Sequence, residues 1–398
     1  MDRKTLALRN ARMAESLRRP AAKHRLRDGL LAAAARLPVI PTGADSERLL
    51  IIRPDHLGDV LLCSPAIQAI KQSSPHTSIH VLCGPWSADA LANYAEIDRV
   101  LTVAFPGFQR ADQPARDPWR LAFESARRLR KIGYASAIIM RPDHWWGALV
   151  AYLAGIKQRV GYDLNNVAPF LTRVYKFEHR HSVEQNMRLA ESWTGEISRC
   201  DIKLRYPVQA ADQDFVDKRL REWQLPPQKR LICIHPGSGR DSKIWRADKW
   251  ASVADEISTR YDAAIIFTGT AAEKTLIADI KDNMKTGRAI AAGATTVGQL
   301  AALYERSLAV LGPDSGALHL AAAVHTATVA LFGPADPAEF APWGDPRRHV
   351  VVTSDIGCRP CRILDWRDDD PSYHPCVREI SVEQVLEAAS RVLGDAVK

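Results

Sequence analysis

The stretch Ala309–Pro334 constrains the fold more than any other part of the chain. Two apolar runs, residues 307–311 and 328–332, are each closed by a Gly-Pro pair, where a strand must stop. Residues 317–324 lie between them, are rich in Ala and Leu and contain no helix breaker. This order predicts a strand, a tight turn, a helix and a second strand, as in a parallel α/β unit.

The turn that opens this helix carries candidate ligand-binding residues, Asp314, Ser315 and Gly316, with His319 one helical turn later. A helix N-terminus at the carboxyl end of a parallel strand exposes free N–H groups and attracts anions. Asp314 or Ser315 can cap these groups, and Gly316 allows close approach to the backbone. The pattern predicts the floor of a pocket for a phosphorylated ligand, or an ordinary turn whose Asp and Ser only cap the helix.

Two further strand-to-helix turns in the second half have a similar composition. The turn after the apolar run LICIH contains Ser238, Gly239 and Lys243, which offers backbone N–H groups and a cation to a diphosphate. A flexible basic loop is the alternative interpretation, and Walker A spacing is absent. Residues 269–273 include Glu273, which either contacts a ribose hydroxyl or serves the helix start. The three turns together outline a nucleotide-diphosphate pocket.

The first half predicts a comparable α/β domain with a carboxylate at a strand end. Residues 49–53, LLIIR, are typical of a buried strand, and Asp59 follows before a helix predicted over residues 60–71. Open α/β sheets do their chemistry at this edge, and the helix start favours an ionised carboxylate. Asp59 is either a general base or a helix cap. The single Gly58 makes no dinucleotide fingerprint, so a nicotinamide cofactor has little support.

A third set of polar residues follows the strand predicted over residues 137–140. Arg141 and His144 stand at its end, on the same sheet edge as Asp59, where they could meet an anionic or hydroxyl-rich acceptor. The neighbouring Trp145-Trp146 pair could stack on a sugar. The alternative is a surface loop with its tryptophans packed inward.

Charge is concentrated at the N-terminus. Of a net charge of +8 over 398 residues, the first 48 hold eleven Lys or Arg against five Asp or Glu, and the nearly neutral remainder excludes a nucleic-acid-binding body. Residues 1–45 predict a basic helical extension broken near Pro20, suited to an anionic membrane surface, to an acidic partner, or to packing on the body. No apolar window is long enough for a transmembrane helix.

Cysteines near the C-terminus form a candidate metal site. Cys358, Cys361 and Cys376, with His374, match the ligand count of a tetrahedral centre, although a disulfide or free thiols are alternatives. The four other cysteines are scattered and resemble buried hydrophobic residues of a reducing cytosol. Asp368-Asp369-Asp370 is interpreted as a solvated acidic loop.

Several motifs occur in an order that resembles a known family. They are Leu-Gly58-Asp59-Val-Leu-Leu with Pro65-Ala66, His235-Pro-Gly-Ser, Lys243-x-Trp245 with Trp250, Asp314-Ser-Gly-Ala-x-His319-Leu-Ala-Ala, and Leu331-Phe-Gly-Pro334. In combination they resemble the bacterial ADP-heptose heptosyltransferases, glycosyltransferase family 9, over about residues 48–395.

This resemblance implies a GT-B fold, with two doubly wound Rossmann-like domains and a cleft between them. The expected boundaries are an extension over residues 1–45, an acceptor-side domain over 46–206, a nucleotide-sugar-binding domain with the Cys-containing loop over 207–380, and a final helix over 381–398 that crosses back to the first domain.

The resemblance also implies an inverting, metal-independent transfer of a heptose from an ADP-sugar to a lipopolysaccharide-type acceptor in the cytoplasm. Asp59 matches the proposed general base, Lys243 the lysine that holds the donor phosphates, and the turn from Asp314 to His319 the donor-binding turn. Ser238 and Gly239 stand where many members have paired hydroxyl residues, which leaves the sugar open. The tail with Cys358, Cys361, His374 and Cys376 is similar to one found in many members, some of which hold a metal there. The resemblance therefore allows a structural Zn or Fe at this tail.

Two rival functions remain at this stage. A nucleotide-sugar epimerase of the same fold would use the donor without an acceptor. A non-catalytic nucleotide-sugar-binding scaffold would bind the donor without turnover.

Overall fold

The computed structural model describes residues 2–18, 22–41, 45–108, 117–196, 202–286, 289–291, 293, 295–364 and 371–394. Pro20, Cys200 and the acidic run 368–370, each interpreted from the sequence, lie outside these residues. The chain divides into an N-terminal unit, residues 20–203, and a C-terminal unit, which joins residues 1–19 to residues 204–398. No helix in the described ranges combines the length and apolar character needed to cross a bilayer.

The basic extension forms two helices, α1 (Arg3–Arg18) and α2 (Ala22–Ala34), which belong to different units. In the C-terminal unit, Arg3 of α1 pairs with Asp355 and with Glu379. In the N-terminal unit, Leu31 of α2 is buried in the apolar core. The extension is therefore part of the packed structure.

The N-terminal unit is built on six parallel strands in the order β3-β2-β1-β4-β5-β6. β1 lies at the centre, and its LLII segment is fully buried because helices cover both faces of a doubly wound sheet. The strands are β1 (Asp45–Arg53), β2 (Ser78–Cys83), β3 (Arg99–Thr102), β4 (Tyr134–Ile139), β5 (Gln158–Tyr162) and β6 (Arg173–Tyr175). The helices are α3 (Leu57–Leu61), α4 (Ser64–Ser73), α5 (Pro118–Ile132), α6 (Trp145–Leu153) and α7 (Ser182–Thr194).

The helix predicted over residues 60–71 is wrong in its extent, because the structure has two shorter helices, α3 and α4, in its place. Pro65 lies in the first turn of α4. Proline has no N–H to donate and its ring clashes with the preceding turn, so it suits a helix start and not a helix interior. The break lets α3 present Asp59 separately from α4.

The C-terminal unit repeats the design with the strand order β12-β11-β10-β7-β8-β9, again all parallel. The strands are β7 (Arg230–Ile234), β8 (Ala263–Phe267), β9 (Ala289–Ala291), β10 (Ala309–Pro313), β11 (Ala327–Phe332) and β12 (His349–Thr353). The helices are α8 (Ala210–Glu222), α9 (Ala247–Tyr261), α10 (Lys274–Asn283), α11 (Val297–Glu305), α12 (Gly316–Ala323), α13 (Pro337–Phe340) and α14 (Val382–Gly394).

The last helix, α14, contacts α9, β11 and β12. Val385, Ala389 and Leu393 on its apolar face are fully buried in the core of the C-terminal unit. This burial packs α14 into the core of the C-terminal unit. The crossing of the final helix, residues 381–398, to the first domain stays a prediction.

The strand, turn, helix and strand predicted from Ala309–Pro334 are present as β10, α12 and β11. Gly312 makes the turn compact, since a Cβ at this position would lie 2.5 Å from the carbonyl oxygen of His235. A side chain here would have to push β10 away from β7, so only glycine fits without a shift of the backbone.

Candidate functional site

At the carboxyl end of β1, a buried guanidinium organises the edge of the N-terminal unit. Arg53 is 4% exposed, and its Nε lies 2.7 Å from the Asp55 carboxylate while its Nη2 lies 3.4 Å from the Asp59 carboxylate. Its Nη1 donates to the carbonyl oxygen of Met140 at 2.9 Å and contacts the Asn186 amide oxygen at 3.5 Å. Arg53 thus ties β1 to the segment after β4, to α7 and to Asp59.

Asp55 extends this network to Arg141. The Asp55 carboxylate is 3% exposed and also pairs with Arg141, which in turn pairs with Asp143 at 2.6 Å. Burial opposes the charged form, but the guanidinium groups of Arg53 and Arg141 outweigh it and lower the pKa of Asp55. The carboxylate therefore stays ionised between two cations, and each charge is paired in the low-dielectric edge of the sheet.

Asp59 is a partly accessible carboxylate of this edge, with one third of its side chain exposed. It lies in the first turn of α3, whose N-cap residue is His56. The Cys63 thiol donates to the Asp59 backbone oxygen at 3.4 Å, and burial raises the pKa of Cys63 to about 12. That thiol therefore stays protonated at neutral pH.

His144 lies at the start of α6 and is buried against aromatic rings. Its ring centroid lies 5.2 Å from that of Phe105 and 5.7 Å from that of Phe108. Burial, assisted by nearby Arg141, lowers the pKa of His144 to about 3, so the imidazole is neutral. Trp146 is also buried and donates to the Pro118 carbonyl oxygen at 2.9 Å, so the inward-packed interpretation holds for this tryptophan.

The equivalent edge of the C-terminal unit centres on a lysine and a carboxylate. Lys243 Nζ lies 2.5 Å from Asp314 Oδ2, and both side chains are mostly buried. Ser238 Oγ donates to the Asp314 backbone oxygen at 3.2 Å. Trp245, two residues after the lysine, is fully buried and donates to the Ile380 carbonyl oxygen at 3.0 Å. The buried indole anchors the turn that holds Lys243 against Asp314.

The helix start of α12 directly follows Asp314. Ser315 occupies the N-cap position without a side-chain cap bond, and within the described residues its buried hydroxyl has no hydrogen-bond partner. The first N–H groups of any helix lack partners within the helix, and here they adjoin a lysine. His319 is buried one turn into α12. This edge can therefore stabilise an anion with a cation, a hydroxyl and main-chain N–H groups.

Glu273 serves the start of α10. Its Oε2 accepts from the Thr270 backbone N–H at 2.5 Å and from the Thr270 hydroxyl at 2.8 Å, in a capping box. Glu273 also fills the space beside Gly237, where a Cβ would lie 2.0 Å from its Oε1. The carboxylate is thus packed against the turn that precedes Lys243, which links two of the three predicted turns. Gly239 is exposed in that same turn.

The family model for glycosyltransferase family 9 (heptosyltransferase) matches residues 122–365, more than half of the chain. The chain belongs to this family. It is 24% identical over 360 residues to lipooligosaccharide heptosyltransferase 2 of Campylobacter jejuni, an alignment that covers 88% of this chain and 99% of that protein. The solved E. coli ADP-heptose lps heptosyltransferase II superposes with a TM-score of 0.69 at 19% identity, over 88% of this chain and 100% of that one.

These findings confirm the predicted family, the enzyme class of glycosyltransferase and the GT-B fold of two doubly wound α/β units. The resemblance rested on motifs that now lie at two sheet edges, one in each unit.

The Cys tail forms a cavity in the C-terminal unit. Its lining includes the three thiols and the imidazole predicted as metal ligands, together with Asn10 of α1 and Ser242 beside Lys243; the four are Cys358, Cys361, His374 and Cys376. Burial raises the pKa of Cys376 to about 12 and raises that of Cys358, so both thiols are protonated. Over the described ranges, no three His, Cys, Asp or Glu side chains are arranged to hold a metal ion.

One solved structure of similar fold is of an iron-containing protein. The iron-containing dodecameric glycosyltransferase TibC from enterotoxigenic E. coli superposes with a TM-score of 0.52 at 14% identity, over 89% of this chain and 78% of that one. In this glycosyltransferase family 9 chain, the four candidate side chains share a cavity without forming a coordination sphere.

Sequence reasoning missed Arg53 and Asp55 as parts of the site. The signal was a charged residue at the end of a fully apolar strand, which is costly unless it is paired. It also missed the buried chain in which His235 Nδ1 lies 3.1 Å from Thr268 Oγ1, and Thr268 Oγ1 lies 2.9 Å from the Tyr304 hydroxyl. That chain connects the ends of β7 and β8 to α11 beneath the turns of this sheet edge.

Proposed function

We propose that this glycosyltransferase moves a heptose from ADP-heptose to a lipopolysaccharide core or a similar cell-surface glycan. The proposal rests on the contacts that Asp314, just before the start of α12, makes with the Lys243 ammonium group and the Ser238 hydroxyl. This is an anion site at the carboxyl edge of a doubly wound sheet, where such folds bind nucleotides. The similarity to the solved E. coli ADP-heptose lps heptosyltransferase II supports the choice of donor and acceptor.

In the proposed reaction, an acceptor hydroxyl oxygen attacks the anomeric carbon of the donor with inversion. Asp59 takes the hydroxyl proton, the bond between the anomeric carbon and the diphosphate oxygen breaks, and ADP leaves. Asp59 suits this role because it is partly exposed and because the buried Arg53 holds it at the sheet edge. Arg141 and His144 lie on the same edge and are proposed to line the acceptor side.

The departing diphosphate gains negative charge as the bond breaks. We assign Lys243 and the start of α12, with Ser315 and Gly316, to stabilising this charge. In the structure Asp314 neutralises Lys243, so the donor phosphates compete for the same ammonium group and the lysine is held in place until they arrive.

Ser238, Gly239, Glu273 and His319 complete the proposed donor side. The positive groups of Lys243 and α12 can supply what a divalent ion would supply, so we propose that transfer needs no metal. A structural Zn or Fe at the Cys tail is not supported by the present arrangement of its side chains. In this proposal residues 46–206 bind the acceptor and residues 207–380 bind the donor.

We further propose that the enzyme works in the cytoplasm, on the inner face of the membrane, since a lipopolysaccharide-type acceptor is carried on a lipid. Part of the basic extension, residues 1–45, is proposed to contact an anionic inner-membrane surface.

A donor screen tests the proposed function. Calorimetry with ADP-, GDP- and UDP-sugars is expected to show binding of ADP-heptose in preference to the others. Mass spectrometry with an acceptor is expected to show a product heavier by one heptose, with ADP released. Tight binding of UDP-sugars without binding of ADP-heptose would overturn the donor assignment. Conversion of the donor alone into an isomer would point to an epimerase.

A further inference from the structure

Exposed apolar side chains are concentrated on one part of the N-terminal unit. Among the described residues, eleven large apolar side chains are exposed, and six of them lie on α2, on the segment after it and on α5: Leu26, Leu30, Leu37, Ile40, Trp119 and Phe123, at 43–76% exposure. We call these six the apolar patch. A monomeric soluble protein seldom groups exposed apolar residues in this way without a binding role.

Direct contacts show that the two elements are neighbours. The guanidinium of Arg27 on α2 lies 5.3 Å from the ring of Trp145, and that ring lies 5.9 Å from the ring of Trp119 on α5. Arg130 of α5 donates to the carbonyl oxygen of Ile40 at 2.8 Å. The α2 segment and α5 therefore lie side by side within one unit.

On α2, the two patch residues lie on a different face from the residue that packs into the core. Leu31 is 1% exposed and belongs to the core, whereas Leu26 and Leu30, one helical turn apart, are 68% and 58% exposed. Trp119 and Phe123 are likewise one turn apart on α5. Both helices thus bury one side in the unit and present a second apolar side outward.

The charges around the patch are strongly positive. Residues 22–41 and α5 together contain nine Lys or Arg and two acidic residues. Both acids are already neutralised on their own helices, Asp28 by Arg27 at 2.8 Å and Glu124 by Arg120 at 2.9 Å. Exposed leucine and tryptophan side chains on elements rich in arginine match an anionic lipid interface.

We propose that the apolar patch docks the protein on an anionic lipid bilayer. This inference rests on the proposed function, which needs access to a lipid-carried acceptor, and it assigns the contact to α2 and α5. A second copy of the chain fits less well, because a symmetric contact would bring the same excess of guanidinium groups together. On α1, Arg3 and Arg9 already contact Asp355, Glu379 and Tyr373 of the C-terminal unit.

Vesicle flotation of the full-length protein tests the proposal. We expect binding to vesicles of phosphatidylethanolamine with phosphatidylglycerol, weak binding to phosphatidylcholine alone, and weaker binding as salt is raised. The double variants L26S/L30S and W119A/F123A should each lower partitioning roughly tenfold or more, since each removes two apolar anchors. The matched control L8S/L17S, on the equally exposed α1, should bind like the unchanged protein.

The outcomes separate this proposal from the proposed function. Equal binding by L26S/L30S and the unchanged protein, or an equal loss in L8S/L17S, would overturn the docking surface. A dimer in analytical ultracentrifugation that L26S/L30S converts to monomers would show that a second copy covers the patch. ADP-heptose binding by calorimetry should be the same in all these variants, so a failure of the donor assignment leaves the vesicle result intact.

Discussion

Arg53 shows how a single buried charge can arrange a site. Its guanidinium has carboxylates on two sides and a carbonyl oxygen on a third, so its burial is compensated by hydrogen bonds and ion pairs. Removing Asp55 or Asp59 would leave part of this charge uncompensated. The same group therefore stabilises the end of β1 and holds the carboxylate that we assign as the base.

For Asp59→Asn we expect turnover to fall about 10²- to 10⁴-fold, because the amide cannot accept the hydroxyl proton. Affinity for ADP-heptose should change little, since Asp59 is assigned to the acceptor. Steady-state kinetics and calorimetry measure the two effects. Asp89→Asn, which changes an exposed carboxylate of the same unit, is the matched control. Normal turnover in Asp59→Asn would show that another group removes the proton.

For Lys243→Ala we expect both weaker donor binding and a turnover lower by about 10²- to 10³-fold, because the ammonium contacts the phosphates before and during bond breaking. Lys218→Ala is the matched control, since Lys218 is an exposed lysine on α8 of the same unit. Thermal unfolding of both variants detects any loss of stability from the unpaired Asp314. Donor affinity that is equal in Lys243→Ala and in the unchanged protein would contradict the assignment.

At the scale of elements, the pairing of β11 with β12 buries His349 beside Thr328. Thr328 and His349 are partners in the ladder, and Thr328 Oγ1 lies 3.1 Å from His349 Nδ1. Burial, with a smaller effect of Arg348, lowers the pKa of His349 from 6.5 to about 4. Between these values the unfolded chain binds a proton that the folded chain does not, so stability falls as pH falls from about 6.5 to about 4.

We therefore expect His349→Gln to be less sensitive to acid than the unchanged protein. The contribution of His349 to the free energy of unfolding should be about 2 kcal/mol smaller at pH 5 than at pH 7.5. The difference in the free energy of unfolding between the two proteins should therefore shift by this amount in favour of the variant when the pH is lowered. Urea unfolding at both pH values measures it. An equal stability difference at pH 7.5 and pH 5 would show that His349 titrates normally in the folded state.

At the scale of the whole molecule, the chain contains two α/β units of the same design with different chemistry at their sheet edges. The N-terminal unit places a partly exposed carboxylate next to the buried Arg53 guanidinium. The C-terminal unit places a lysine beside a helix start. One suits proton removal and the other suits a departing anion, which is the division of labour that a sugar transfer requires.

Because the proposed charge stabilisation comes from Lys243 and α12, we expect turnover of the purified enzyme to be unchanged by an excess of EDTA. A loss of activity that added Mg²⁺ or Mn²⁺ restores would contradict metal-independent transfer. Metal analysis of the same sample tests the Cys tail separately, and unchanged turnover after removal of any Zn or Fe would limit such a metal to a structural role.

The sequence by itself determined the α/β class, the positions of most strands and the three turns of the C-terminal unit, since these depend on local apolar runs and on Gly, Pro and small polar residues. The motif order also identified the family. Only the tertiary structure decided that Asp314 pairs with Lys243, 71 residues earlier, and that Arg53 connects Asp55 to Asp59. It also divided the basic extension between the units and showed that the Cys tail shares a cavity without a coordination sphere. Such contacts depend on strand order and helix docking, which bring distant residues together and leave no periodic signal in the sequence.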